Sequence, residues 1–305
     1  MLRDECRRQV TRGPHRHVRR LWSVISNEAL SLVHPVIRGR GVAARSNRKE
    51  QWLASPILVT GGTGRLGRLA VQRLREAGSS VRVLARQGRD VAAGVEFVRS
   101  DLRLGSGLDA AVAGTSVIVH CATSTKGDVE AMQNLVGAAN QTGLPHLVYV
   151  SIVGIDAIAS WGYPKSKLQA EAVLVNSELP WTILRATQFH EYVLAGLQKL
   201  VRSPVVPVPA GFRVQPVDTA AVARRLVELA LEAPSGRVPE LAGPDITDWV
   251  QMLRDYLRIS GRHRPVVPVR IPGTRAVRAG GLLPTPGHTV AGRSWQQLLV
   301  ASQVE

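Results

Sequence analysis

Residues 56–67 read Pro56-Ile57-Leu58-Val59-Thr60-Gly61-Gly62-Thr63-Gly64-Arg65-Leu66-Gly67, an apolar run that breaks into a glycine-rich turn and then enters a helical pattern from Leu69 through Leu74. Strand, glycine turn and helix in that order make a phosphate-binding corner, because the amides opening a helix point outward and its dipole favours an anion. Gly61 allows the tight turn, Gly64 lets backbone approach a pyrophosphate with no side chain between, and Gly67 lets the helix pack close to the strand. Thr63, Arg65 and Leu66 share that corner. The stretch predicts a dinucleotide site.

The surrounding pattern supports it. From residue 54 onward short apolar runs alternate with helical ones, the signature of a parallel sheet covered on both faces. Strands are expected near 56–60, 81–85, 95–98, 117–121, 146–151 and 181–185, and helices near 65–77, 128–142, 164–177, 188–201 and 218–232. Beyond 185 the alternation weakens, with Pro204, Pro207 and Pro209 punctuating a valine-rich segment and short strands expected near 212–217, 238–242 and 265–269. The fold class is therefore α/β, a doubly wound parallel sheet over 54–186, with 187–305 as a smaller substrate-covering region.

The formal net charge is +16, from 39 Lys/Arg and 23 Asp/Glu. Residues 1–50 hold 12 of those basic and 4 of those acidic residues, so half the excess sits in one sixth of the chain. Residues 1–53 read as a basic, poorly ordered extension with one short helix at most. Such a tail can approach nucleic acid or an anionic membrane, and an Arg-rich amino terminus can be a transit peptide, but Asp4 and Glu5 argue against the last. The plainer expectation is sequence read from a start codon placed too far upstream. Nucleic acid is not an expected partner, no apolar run reaches membrane-spanning length, and oligomeric state is left open. With only Cys6 and Cys121, a reducing, cytoplasmic setting is expected. The histidines show no metal-ligand spacing, so no metal is expected.

Strand ends sort the cofactor. A site for NAD wants an acidic residue at the end of the second strand; here Val83-Leu84-Ala85 is followed by Arg86, and the first acidic residue is Asp90. A guanidinium there can pair with a 2′-phosphate, so NADP(H) is expected ahead of NAD(H), with Arg89 as a second candidate. Asp101 and Leu102 follow the third strand beside the expected adenine, where Asp101 either accepts from the base or caps the next turn. Ala122 and Thr123 end the fourth strand and suit close packing against a ribose.

Tyr163 and Lys167 stand four apart at the opening of a helix, hence on one face. An ammonium near a phenol favours the phenolate and readies the tyrosine for proton transfer at a carbonyl or alcohol oxygen. Ser151, at the end of the preceding strand, could hold the substrate oxygen.

With the glycine turn, Arg86, Tyr163 and Lys167 in view, the chain resembles an atypical short-chain dehydrogenase/reductase of the NmrA-like, NAD(P)H-binding kind. Leu179-Pro180-Trp181-Thr182-Ile183-Leu184-Arg185-Ala186-Thr187-Gln188-Phe189 is similar to that family's sixth strand and the turn into its substrate region. The resemblance, over about 54–300, implies a Rossmann-type core, nicotinamide contacts by Thr187, Gln188 and Phe189, and a ribose contact by Lys167. Ser151 lies one residue closer to Tyr163 than the family's classical members place it. His190 and Glu191 could reach a substrate. The family holds reductases acting on small molecules and cofactor sensors that catalyse nothing; an oxidoreductase acting on a small carbonyl, quinone or similar acceptor explains the most residues, with a redox sensor acting through a protein partner as the alternative.

Overall fold

The computed structural model describes residues 55–87, 93–124, 127–158 and 162–302. The extension expected at 1–53 and the candidate Arg89 lie outside the described residues.

Six strands build the parallel centre: β1 (Ile57–Thr60), β2 (Val81–Ala85), β3 (Glu96–Arg99), β4 (Val117–His120), β5 (His146–Ile152) and β6 (Trp181–Ala186). They run in the order β6-β5-β4-β1-β2-β3, every pair parallel, so the chain reverses direction across the sheet between β1 and β4. That reversal opens a crevice above the carboxyl ends of β1 and β4, the place where open α/β sheets bind ligands. The free edge of β6 is completed by short strands, with β7 (Val206–Pro209) and β8 (Arg213–Val214) leading to β9 (Gly236–Arg237) and β10 (Leu241–Ala242), which both pair with β6.

Alternation within each strand feeds two apolar layers. Val59, Val83, Val119 and Val148 meet α1 (Arg65–Glu76) on one face, while Leu58, Leu84, Ile118 and Leu147 meet α2 (Leu108–Val112), α3 (Asp128–Asn140) and α4 (Gly162–Val175) on the other. After α5 (His190–Leu200), α6 (Thr219–Leu231) joins α1 in the first layer through Val222, Leu226 and Leu229. Asp218 caps α6 by accepting from the Ala220 amide at 2.9 Å.

A third apolar cluster joins α5, β7, α7 (Trp249–Ile259) and α8 (Trp295–Ala301) through Leu197, Val206, Leu253 and Leu298. No helix was expected at 249–259, yet its buried apolar residues fall at 252, 253, 256 and 257, a helical stripe, behind a cap in which Asp248 accepts from the Val250 and Gln251 amides. Among the described residues no helix is long and apolar enough to cross a membrane.

Candidate cofactor and active site

Thr60 ends β1, and the chain turns at once at Gly61 with φ of +67°, a conformation that side chains rarely adopt. A Cβ on Gly61 would also stand 2.7 Å from the Ala122 backbone, at the end of the neighbouring β4. At Gly67 a Cβ would lie 2.1 Å from the Gly61 carbonyl oxygen, so the close packing expected there is between helix and turn. The turn is locked by the Gly64 amide donating to the Gly61 carbonyl at 2.9 Å. No side chain caps α1 and no acidic residue occupies its first turn, which leaves a positive helix end turned toward the crevice.

The crevice is a half-open cleft of about 380 Å³. Its floor is the glycine turn with Thr63, Arg65 and Leu66. One wall carries Arg86 and, after β3, Asp101 and Leu102; the other carries Ala122 and Thr123 after β4. These are the residues expected to surround a dinucleotide, and a cradle that Cβ atoms would fill, at an uncapped helix end, fits its pyrophosphate. Asp101 also performs the turn-capping role, accepting from the Arg103 amide at 2.9 Å through Oδ1.

Three further residues line the cleft that no motif singles out. Arg103 lies across Gly127, where a Cβ would come within 2.5 Å of its Nε, so it brings a second guanidinium to the lining, on the side where α3 begins. Asp128, the first residue of α3, accepts from the Ser124 amide at 2.7 Å and from the Thr123 hydroxyl at 2.8 Å. Tyr192, on α5, reaches the mouth of the cleft with its ring 5.9 Å from that of Phe189. An acidic residue five positions beyond a strand-end threonine was a legible helix-start signal for Asp128; nothing local marked Arg103 or Tyr192.

The tyrosine and lysine on α4 are placed differently from expectation. Tyr163 puts its hydroxyl 3.1 Å from Thr123 Oγ1, at the cleft wall. Lys167 turns away from it: Nζ donates to the Tyr149 hydroxyl at 3.1 Å and to the Val150 carbonyl at 3.2 Å, and lies 3.8 Å from Asp128 Oδ2. Burial lowers the lysine's proton affinity, and the neighbouring Asp128, Cys121 and Glu171 restore part of it. The Tyr163 phenol is therefore not eased toward phenolate by Lys167. Burial pushes it above the ordinary tyrosine range, the Thr123 hydroxyl pulls it back, and Asp128 and Tyr192 push it further up. That reverses the direction the four-residue spacing suggested.

Ser151 is 2% exposed and its Oγ has no hydrogen-bond partner, an orphaned polar atom inside β5. Thr187 spends its hydroxyl on the Gln215 carbonyl at 2.6 Å, and Gln188 accepts through its backbone from the Val217 amide at 2.9 Å, so both tie the end of β6 to the following strands. Phe189 meets the cleft through Tyr192. His190 is buried against Trp295, ring centroids 5.8 Å apart, and burial lowers its proton affinity below the ordinary histidine value. Among the described residues no cluster of His, Cys, Asp or Glu could hold a metal ion.

Behind the site, Arg185 of β6 grips Glu171 of α4 with two bonds of 3.0 and 2.8 Å and Asp156 with a third of 2.6 Å. Glu171, one turn beyond Lys167, also takes a 3.1 Å bond from Arg237. This fork fixes α4, and with it Tyr163 and Lys167, against the sheet.

Comparison with known proteins agrees with this geometry. Residues 61–233 match the family described as NAD(P)H-binding. A (4-alkanoyl-5-oxo-2,5-dihydrofuran-3-yl)methyl phosphate reductase of Streptomyces griseus is 29% identical over 215 residues, covering 68% of this chain and 74% of that protein. A photosystem II assembly factor of Cyanophora paradoxa is 26% identical over 230 residues, 70% of this chain and 72% of its own. Among solved structures, an NADPH-dependent quinone oxidoreductase of Escherichia coli in complex with NADPH shares the fold with a TM-score of 0.70 at 20% identity, over 81% of this chain and 99% of that one. The chain belongs to the NAD(P)H-binding family, and its parallel sheet is of the Rossmann type.

Proposed function

We propose that this chain is an NADPH-dependent reductase of a small carbonyl, quinone or similar acceptor, with Tyr163 as the proton donor. The observation that carries this reading is the Tyr163 hydroxyl at the cleft wall, 3.1 Å from Thr123, in surroundings that keep the phenol neutral and hence able to donate. Bound NADPH would supply a hydride. Its pyrophosphate fits the end of α1, and Arg86 offers a guanidinium for a 2′-phosphate where an NAD site would carry an acid. Lys167 and Ser151, both buried beneath the cleft, orient groups at the nicotinamide end, with Thr187, Gln188 and Phe189 closing it. Residues 187–302 supply the acceptor's side of the pocket. The reductase activity of the Streptomyces griseus relative supports the same class of chemistry. Sparing use of cysteine, two in the chain with Cys121 a free thiol, favours a reducing, cytoplasmic setting.

The test is NADPH oxidation against a panel of quinones and unsaturated carbonyl compounds. Wild type should turn over, and Tyr163→Phe should bind NADPH equally well while losing about 100-fold or more of kcat. A second reading, a cofactor-binding regulator that acts through a protein partner, is favoured by the engagement of Lys167 with Tyr149 in place of Tyr163. It wins if wild type binds NADPH tightly and oxidises none of it with any acceptor.

A further inference from the structure

Three side chains from three elements meet in a line: Tyr163 of α4, Thr123 of the loop after β4, and Asp128 at the start of α3. The Thr123 hydroxyl lies 2.8 Å from Asp128 Oδ2 and 3.1 Å from the Tyr163 hydroxyl. A carboxylate only accepts, so the single Thr123 proton points to Asp128. The remaining contact has one polarity left: Tyr163 donates and Thr123 accepts. We propose that Asp128, acting through Thr123, is a positioning residue that holds Tyr163 protonated and so commits the site to giving a proton. The inference rests on the reading of Tyr163 as the proton donor.

A phenolate at Tyr163 would need Thr123 to swing its proton away from Asp128, setting the carboxylate against the bare hydroxyl oxygen. Tyr163 and Asp128 thus compete for one proton. The cation that could settle the competition in favour of phenolate is already engaged, since Lys167 donates to Tyr149 and to the Val150 carbonyl. Asp128 from α3 and Tyr192 from α5 both oppose the phenol's ionisation, and the Thr123 hydroxyl favours the phenolate only by donating to it, the polarity that its bond to Asp128 forecloses. Around Lys167 the facing groups are Asp128, Cys121, Glu171 and the Tyr149 ring with its centroid 4.6 Å from Nζ, with buried His120 stacked beyond that ring. Asp128 therefore acts twice, by taking the Thr123 proton and by drawing on the ammonium.

The experiment follows each tyrosine by NMR of ring-labelled protein against pH, with Tyr163→Phe assigning one of the four signals. D128N should lower the Tyr163 transition by about one pH unit or more, because the released Thr123 proton can then serve the phenolate. The same substitution made on top of T123V should move it far less, and T123S should restore the full effect. An unmoved transition in D128N, or an equal shift with and without the Thr123 hydroxyl, overturns the proposal. Neutron diffraction from the unmutated protein gives a second readout independent of folding in the variants: deuterium is expected on the Thr123–Asp128 line and on the Tyr163 oxygen pointing at Thr123. Deuterium from Thr123 pointing at Tyr163 overturns it. Neither readout requires turnover, so a fully active Tyr163→Phe would remove the catalytic reading while leaving this polarity standing.

Discussion

The Lys167 ammonium donates to the Tyr149 hydroxyl at 3.1 Å, although Tyr163 is the tyrosine one helical turn away on the same helix. Tyr149 is 1% exposed, so its oxygen is one of few groups that can satisfy a buried ammonium. Tyr149→Phe should cost about 1–3 kcal/mol in denaturant unfolding, because it orphans part of a buried charge. Tyr163→Phe, which loses one bond at the cleft edge, should cost about 1 kcal/mol or less. Equal losses would mean that the ammonium has other satisfaction.

The glycines of the turn separate fold from binding. Gly67→Ala forces a Cβ to within 2.1 Å of the Gly61 carbonyl, so both thermal stability and NADPH binding should fall steeply, by about 3 kcal/mol or more in stability. Gly64→Ala meets only a 3.2 Å contact at an exposed position, and should weaken NADPH while leaving the melting temperature nearly unchanged. Cofactor fluorescence titration and thermal unfolding on both variants check the pair.

Arg86→Ala should weaken NADPH by about 10-fold to 100-fold, the size of a lost charge-assisted hydrogen bond, and leave NADH almost unaffected. Calorimetric titration with each cofactor reads this. Equal losses for both would assign Arg86 to a shared part of the nucleotide and remove the preference for NADPH.

Arg185→Leu should cost about 3–5 kcal/mol, because it leaves Glu171, 1% exposed, with only the bond from Arg237. Since the fork holds α4, the same variant should loosen Tyr163, read as faster amide exchange along Gly162–Val175. A stable variant with an unchanged exchange pattern would contradict the anchoring role.

Acid should destabilise the fold through His120. Its Nδ1 lies 2.7 Å from the Thr60 hydroxyl, and burial, helped by Lys167, holds its pKa at about 3 against 6.5 for the free side chain. Between those values the unfolded chain binds a proton that the folded one refuses, so stability rises with pH across the window and is lost as pH falls through it. The slope from this group is about 1.4 kcal/mol per pH unit. His120→Asn should flatten the pH dependence of urea unfolding between about pH 6.5 and 3.

Much of this was legible in the chain, and the rest was not for physical reasons. Strand to helix alternation over 56–232 is a local, periodic signal, and the six central strands lie within a residue or two of expectation. The site residues contributed by strand ends, Gly61, Arg86 and Thr123 among them, follow from the same alternation because topology brings strand ends together. The α7 stripe was readable but sat in a proline-punctuated region. Lys167's partner was not readable: Tyr149 lies in the apolar run His146-Leu147-Val148-Tyr149-Val150 and looks like core, and only packing of α4 on β5 aims the ammonium at it. Sequence spacing put Lys167 and Tyr163 on one helical face; the packing of that helix on β5 decided where the charge went.

Hydride transfer is tested most directly by a single turnover with NADPH deuterated at the transferring position of the nicotinamide, mixed with stoichiometric protein and an enone or aldehyde acceptor, whose new carbon–hydrogen bond retains the label. Oxidised cofactor is expected in proportion to protein and deuterium in the reduced acceptor, with Tyr163→Phe slowed at full cofactor occupancy. Cofactor that binds and is recovered unoxidised with every acceptor would contradict it.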